Sequence, residues 1–372
     1  MMVKSKNRYR VALVTESLWS MAGANRVLDS FAKIFPDADI FALFGEKKSL
    51  SDNLNSHRIF FSRLNGIPFI KKVYRYTFNL WPFFVEKFDF SQYDLVVSSS
   101  SSVTHGIISP LNCLHVAYIH SPMRYAWDLR SRYSRVVGFS RLKQAFVDFC
   151  LVGMRVWDVV ASSRPDHIIA NSNISKERIE KYWDRKVDAV IHPPVEKYGG
   201  KVYLKRNKYY VSGAPFEPNK EGEFLLSCAA ELGFKLKVLG NGSLRKRLEK
   251  KYSRFKNIEF LGWITDEEKW KIMAKAKGYI VPGIEEYGIF PCEAISAGTP
   301  VIAFRGGGSL EIVKEGKNGM FFDNWNISDF RECMKNFEGK KWNYKKISED
   351  TRYINDFDSF KKSILKQLVD NK

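Results

Sequence analysis

Short apolar runs recur along the chain, each closed by glycine, proline, serine or asparagine. They alternate with longer stretches whose apolar residues return every three or four positions. Arg10 to Thr15 reads as a first strand, and Val27, Leu28, Phe31 and Ile34 fall on one face of the helix that follows. Asp39 to Leu43, Asp94 to Ser99, His115 to Ile119, Ile168 to Asn171 and Ala189 to His192 bring the count to about six parallel strands, with a long helix ending at Ala161 and another over Ser175 to Tyr182. Pro193-Pro194 stops this pattern and marks a linker. The alternation then restarts: Tyr209 to Gly213, Leu236 to Leu239, Ile258 to Leu261, Tyr279 to Val281 and Val301 to Phe304 are strands between helices, and Trp342 to Leu368 reads as helix. Strand and helix in strict alternation, twice, predict an α/β protein of two doubly wound domains.

The second half holds the stretch with the most chemistry. The apolar run Gly278 to Pro282 reads as a buried strand, Glu285 to Gly288 as a loop, and Pro291 to Ala297 as a helix. In such a unit the loop lies at the strand's carboxyl end and the first-turn amides of the helix suit an anion such as a diphosphate. Glu285 and Glu293 flank that site. Carboxylates suit hydroxyls and not phosphates, so the pair reads as two sugar-hydroxyl acceptors bracketing a diphosphate, the layout wanted for a nucleotide sugar.

Other candidates follow from position. A glycine after the first strand, Gly23, serves either a close backbone approach to phosphate or a tight turn, and with no G-x-G-x-x-G an ordinary dinucleotide fingerprint is not supported. Asp37-Ala38-Asp39 reads as a turn before a strand in preference to a metal-binding D-x-D. His120 lies just past a parallel strand, where open sheets place ligands, and Pro122 keeps the segment extended, so it is assigned to the site as hydrogen-bond donor or general acid/base. Lys220 near a helix start is a phosphate counter-ion candidate, and Gly240-Asn241-Gly242 closes another strand in the same crevice.

Composition widens the picture. The 372 residues suffice for two domains, and 45% hydrophobic with 15% aromatic residues argue for packed cores. A formal charge of +19 predicts attraction to phosphate-rich partners: nucleic acid, anionic membrane or a polyanionic substrate. No nucleic-acid-reading module is recognisable. From Ile59 to Phe90, Arg63, Lys71, Lys72, Arg75 and Lys87 alternate with Ile67, Phe69, Ile70, Tyr74, Tyr76, Phe78, Trp81, Phe83 and Phe84. That pattern fits a helix lying on an anionic bilayer, or core aromatics with solvated cations. Arg130, Arg132, Arg135, Arg141 and Lys143 form a second basic patch. Cys113, Cys150, Cys228, Cys292 and Cys333 are odd in number and lie in or beside apolar stretches, as reduced core cysteines in cytosol would. The basic N-terminus leads into a short strand and is not read as a signal peptide, and the Ala145 to Ala161 helix, broken by Asp148, Arg155 and Asp158, is not read as a membrane span.

Several stretches, in order from about Ser20 to Phe322, resemble the retaining glycosyltransferase family 4, of GT-B architecture, and most nearly its bacterial O-antigen and polysaccharide mannosyltransferase-type members. They are Ala22 to Leu28, Tyr93 to Ser100, Tyr118 to Asp128, Ala170 to Ser172, His192 to Val195, Lys237 to Gly242 and Glu285 to Glu293. The resemblance implies Rossmann-like domains over 1–200 and 201–349 facing across a cleft, with a helix at about 350–372 returning to the first. It also implies a nucleoside-diphosphate sugar as co-substrate and no metal or other cofactor. By the same resemblance Glu293 holds the nucleotide's ribose and Glu285 lies near the donor sugar's hydroxyls. Gly288, Ile289 and Phe290 offer amides to the diphosphate, which Gly23 approaches, His120 lies near the donor sugar, and Lys220 neutralises the leaving diphosphate. Two departures stand out: Ala22 replaces the first glycine of the usual pair, and the arginine expected several residues before Lys220 is missing from Ser212 to Glu217, leaving Arg245 or Arg305 to take its role or donor binding weakened.

The function expected is therefore retaining transfer of a hexose, first of all mannose from GDP-mannose, with UDP-hexose or dTDP-rhamnose as alternative donors. The acceptor expected is a lipid-linked or polysaccharide glycan at the inner face of the cytoplasmic membrane. Arg124, Tyr125, Lys71, Lys72, Arg75 and Trp81 are the candidate acceptor or membrane face, with an anionic membrane surface as partner and no nucleic acid. The alternatives of another class are a GT-B protein that binds a sugar nucleotide without transferring it, and a basic nucleic-acid-binding protein.

Overall fold

The computed structural model describes residues 9–21, 23–137, 140–213 and 216–369. Two units are present, one of Met1–His192 with Lys361–Lys372 and one of Pro193–Phe360. Each is built on a single sheet whose strands all run parallel.

The first sheet has seven strands in the order β3-β2-β1-β4-β5-β6-β7. They are β1 (Val11–Leu18), β2 (Asp39–Gly45), β3 (Ile59–Phe61), β4 (Leu95–Ser100), β5 (Leu114–Ile119), β6 (His167–Ala170) and β7 (Ala189–Val190). β1 outruns the stretch predicted for it because β2 runs on beside it: Ser17 and Leu18 still pair with Phe44 and Gly45. The second sheet has the order β10-β9-β8-β11-β12-β13, from β8 (Tyr210–Gly213), β9 (Leu236–Leu239), β10 (Ile258–Gly262), β11 (Gly278–Val281), β12 (Val301–Phe304) and β13 (Gly319–Phe322). Its central strands show why both faces are covered. Tyr210, Ile280 and Ile302 join one core with Leu225 and Phe330, while their neighbours Val211, Tyr279, Val281, Val301 and Ala303 join another with Cys292 and Ile295. In both sheets the strand order reverses beside the first strand, between β1 and β4 and between β8 and β11.

The stretch from Ile59 to Phe90 is not one amphipathic helix. It is the edge strand β3, then short helical pieces at Arg63–Gly66, Ile70–Val73, Tyr74–Leu80 and Trp81–Val85. Its aromatics divide accordingly. Trp81, predicted for a membrane face, is buried in the core of the first unit beside Phe44, whereas Phe69, Tyr76 and Phe83 are exposed. Tyr125 is likewise drawn inward: its hydroxyl lies 2.8 Å from Ser102 Oγ and its ring packs edge-on against Phe78. Lys71 and Lys72 are exposed, Lys71 in contact with Glu46. Arg75 is exposed and Arg124 half-buried. Asp39, at the start of β2, is engaged by Arg58 and by the Tyr93 hydroxyl at 2.7 Å. The tail predicted as one helix is two, Tyr344–Glu349 and Phe357–Val369, separated where Thr351 and Ile354 are buried. All five cysteines are free, and burial pushes the thiols of Cys113, Cys228 and Cys333 up to about 11, 12 and 12.

A buried carboxyl fastens the long helix Arg141–Ala161 to the first unit. Asp158, fully buried, accepts from the indole N–H groups of Trp127 and Trp183, both at 2.7 Å, and its other oxygen lies 3.3 Å from His105 Nε2. Burial raises the Asp158 pKa from 3.8 to about 7 and lowers that of His105 from 6.5 to about 3. The raised carboxyl contributes stability that is complete below its ordinary pKa and lost as pH rises through about 7; the depressed histidine contributes stability present above its ordinary pKa and lost as pH falls toward about 3. Asp158→Asn keeps an acceptor for the indoles and never ionises. Its melting temperature relative to wild type should therefore climb between about pH 4 and about pH 8, and a flat difference across that range in thermal scans would rule out a protonated Asp158.

Candidate functional site

In a parallel sheet, ligands bind beyond the carboxyl ends of the strands where the strand order reverses. In the second unit that point lies between β8 and β11, and the loops after both strands bring charged residues there. After β8 the chain makes the short turn Pro218–Lys220, and after β11 it turns through Gly283 into Glu285. A side chain at Gly283 would strike Asn219 O and Lys220 Cα, so glycine is what lets the two loops lie against each other. Lys220 Nζ is in contact with a carboxylate oxygen of Glu285 and lies 4.0 Å from one of Glu286. Ser212, Gly213, Lys220, Tyr279, Ile280, Val281, Pro282 and Glu285 line a small recess open to solvent.

The loop ends on Gly288, whose φ of +105° is strained for any other residue, and the helix Ile289–Ser296 starts directly after it. Gly288, Ile289 and Phe290 thus stand at the first turn, where backbone N–H groups have no partner within the helix itself. The helix begins two residues before the predicted Pro291, because proline tolerates the first turn. Glu293, one turn on, is fully buried, and its Oε1 accepts from Lys269 Nζ at 2.9 Å. Lys269 is itself almost wholly buried on the helix Asp266–Lys275, where it also meets Asp266 at 2.9 Å and lies over the ring of Trp270. Sequence reasoning passed over Lys269. Its signal was its place on the apolar face shared with Met273, behind the Thr265–Glu268 capping box that fixes where the helix starts.

The two arginines considered as the missing cation differ in setting. Arg305 is bound by Asp323 at 2.6 Å and Glu315 at 3.1 Å. Arg245 donates to the carbonyl of Gly240, at the carboxyl end of β9 beside β8, at 3.2 Å, and pairs with Glu249 at 3.3 Å. Gly240 has a φ of +86° and donates to Gly262 O at 2.7 Å. Ala214 and Pro215, in the departure before Lys220, lie outside the described residues, as does Ala22.

The first unit has its own reversal point. Gly23, after β1, has a φ of +53° with nothing within 4 Å of where a Cβ would stand. After β4, Glu16 Oε1 accepts from the backbone N–H groups of Ser101, Ser102, Val103 and Thr104 at 2.9–3.2 Å. The next strand delivers His120, whose Nε2 lies 2.8 Å from Ser99 Oγ and whose carbonyl accepts from Ser175 at 2.6 Å. Asp128, closing that segment, is held by Arg178 at 2.7 Å. Lys220, Glu285, Gly288 to Phe290 and Glu293 thus all lie in the second unit, while in the first Gly23 follows β1 at the reversal point and His120 follows β5, one strand beyond β4. Among the described residues no group of three or more His, Cys, Asp or Glu gathers as a metal site requires.

Two Rossmann-like units with parallel sheets define the architecture of the GT-B glycosyltransferases, and solved structures of that class carry the likeness. Anabaena HepE, in a complex with UDP-glucose, superposes with a TM-score of 0.66 at 16% identity over 97% of this chain and 99% of that one. Sucrose-phosphate synthase of Thermosynechococcus elongatus does so with a TM-score of 0.68 at 16% identity over 98% and 100%. Residues 201–353, within the second unit, match the family model described as Glycosyl transferases group 1. An uncharacterized glycosyltransferase of Methanocaldococcus jannaschii is 29% identical over 46% of this chain and 49% of its own length. The alpha-1,3/1,6-mannosyltransferase ALG2 of Dictyostelium discoideum is 34% identical over 30% and 27%. The chain thus spans about half or less of the length of these curated relatives.

Breaking a buried ion pair by removing one partner costs about 3–5 kcal/mol, because the remaining charge stays in a low-dielectric site. Lys269→Met should destabilise the chain by about that amount in urea unfolding, and adding Glu293→Gln to it should recover part of the loss. A cost below about 1 kcal/mol for the single variant would show that Glu293 reaches solvent or another cation without Lys269.

Proposed function

We propose that this protein is a retaining glycosyltransferase that moves a hexose from a nucleoside-diphosphate sugar to a lipid-linked or polysaccharide acceptor in cell-surface glycan synthesis. The observation that carries the reading is the Lys220–Glu285 contact at the β8/β11 reversal, one short loop from the start of the helix Ile289–Ser296, inside a domain matching group 1 glycosyl transferases. Diphosphate at that helix start meets the amides of Gly288 to Phe290 and Lys220, which leaves Glu285 for the sugar hydroxyls and Glu293 for the ribose. Charge developing on the departing phosphate is stabilised by those fixed donors, the largest part of barrier lowering in such reactions. Positive charge at the phosphates thus comes from the protein, with Arg245 as supporting cation, and the reading requires no metal ion. In this reading the acceptor attacks from the face the phosphate leaves, and the phosphate draws its proton.

GDP-mannose is the first donor, supported by the match to a mannosyltransferase; the likeness to HepE, bound to UDP-glucose, favours a UDP-hexose as alternative. Work at the inner face of the cytoplasmic membrane is supported by the +19 charge and by exposed Phe69, Tyr76 and Phe83 among Lys72, Arg75 and Lys87. A second reading, sugar-nucleotide binding without transfer, is favoured by the arginine missing before Lys220.

Nucleotide sugars tested by thermal shift should include one that, at 100 times its dissociation constant, stabilises by about 2.7 kcal/mol. With that donor and an extracted lipid acceptor, Lys220→Ala should lower kcat by about 10²–10³. Stabilisation without transfer favours the second reading, inversion at the anomeric carbon excludes the retaining mechanism, and no response to any nucleotide sugar sinks both readings.

A further inference from the structure

The helix Arg141–Ala161 turns one face to the core of the first unit, burying Leu151, Met154, Asp158 and Ala161. Among the described residues the opposite face is largely exposed, and its composition is unusual. From Ala145 to Val160 every exposed position is Ala, Phe, Val or Gly, with Phe146 65% and Phe149 77% exposed and Val152, Val156 and Val160 all above half. With Leu142, these residues recur at helical spacing in a stripe about 27 Å long at 1.5 Å per residue. A solvated helix face carries charge, whereas here both acidic residues of the helix are withdrawn: Asp158 is buried and Asp148 is held by Arg130 at 2.7 Å.

The surroundings of the stripe are cationic. Arg141 and Lys143 are exposed at its start. The helix packs against the segment Tyr74–Leu80, and Trp157 donates to Glu86 at 2.8 Å just beyond it. That segment exposes Tyr76 and Leu80, and the helix Trp81–Val85 after it exposes Phe83, with Lys87 over the Phe83 ring and Lys72 over that of Phe69. An apolar stripe with a basic margin, on a chain of charge +19, complements a surface that is apolar inside and anionic at its rim. A second copy of the chain would match the stripe but oppose its cations. The helix does not span a bilayer, since its other face belongs to the core and no helix of the described residues is long and apolar enough to cross one.

We propose that this helix is the protein's docking surface for an anionic lipid bilayer, lying in the interface with Phe146, Phe149, Val152, Val156 and Val160 among the acyl chains. The proposal deepens the membrane-side acceptor of the proposed function and rests on it for purpose only, because lipid binding is measured with no sugar nucleotide present. Flotation of the full chain with vesicles of phosphatidylcholine alone, or mixed with phosphatidylglycerol, tests it. Binding to the anionic vesicles, weakened by salt, is expected. Phe146→Asp with Phe149→Asp should lower their partition coefficient at least about tenfold, two charges being forced into the acyl boundary. The variant's melting temperature and thermal response to sugar nucleotides report whether it folds. Val156→Gln with Val160→Gln, a milder change at the other end of the stripe, should also weaken binding. Wild type that stays with no vesicle overturns the proposal, as does full binding by a folded Phe146/Phe149 variant. A wild-type dimer that this variant turns to monomer overturns it too and assigns the stripe to a second copy.

Discussion

A parallel sheet is closed by crossovers that pass over one face or the other, and where the chain changes face two neighbouring strands send their loops apart. In the second unit those strands are β8 and β11, and the candidate site depends on that one constraint. Lys220 and Glu285 are 65 residues apart in sequence, yet the reversal gives them adjoining positions. The rest is local: the bare Cα of Gly283 lets the loops meet, and the positive φ of Gly288 aims the next helix back at them.

Such a site works only if its helix cannot drift, and Ile289–Ser296 is held at both ends. Glu293 is tied to Lys269 near the start. At the far end the guanidinium of Arg206 donates to the carbonyls of Ala274 and, at 2.8 Å, Gly298, and to Thr299 Oγ1 at 2.9 Å. A cation there ties the chain just past this helix to the last turn of Asp266–Lys275 and opposes the negative ends of both helix dipoles. Desolvation lowers the Arg206 pKa to about 10, so it stays charged at neutral pH. A buried ion pair adds little net stability over apolar packing but is costly to break, so Lys269 and Glu293 fix where the helix sits more than how stable it is.

The central strands were legible because their residues are buried on both faces and spell unbroken apolar runs, as in Tyr279 to Val281. The edges were not. β3 exposes Phe60 and half-buries its neighbours, and β13 half-buries Met320 and Phe321, so neither shows the density of a central strand. The stretch around Tyr74 to Val85 misled because its aromatics serve two environments, and a helix that turns from 3₁₀ to α has no single period. Of the site, the charged residues after β8 and β11 were readable from strand ends and spacing. Lys269 stood out less, since a lysine is ordinarily solvated and its one signal, the apolar face it shares with Met273, is weak until tertiary packing buries it. The apolar stripe on Arg141–Ala161 was hidden for the opposite reason, because apolar residues all round a helix do not tell which face the core takes.

The same topology is put to a different use in the first unit. Its reversal between β1 and β4 also presents consecutive backbone N–H groups, those of Ser101 to Thr104, in the arrangement that attracts an anion. Glu16, arriving on β1, supplies that anion from within the chain, and Ser100 Oγ and Thr104 Oγ1 add their own hydrogen bonds to it at 3.2 and 2.9 Å. The amides are thereby satisfied and the serine loop held in place, with Ser99 presented to His120. In the second unit the carboxylates meet cations instead, Glu285 on Lys220 and Glu293 on Lys269, so there the loops and the helix are tied by ion pairs and not by a carboxylate caught in backbone amides.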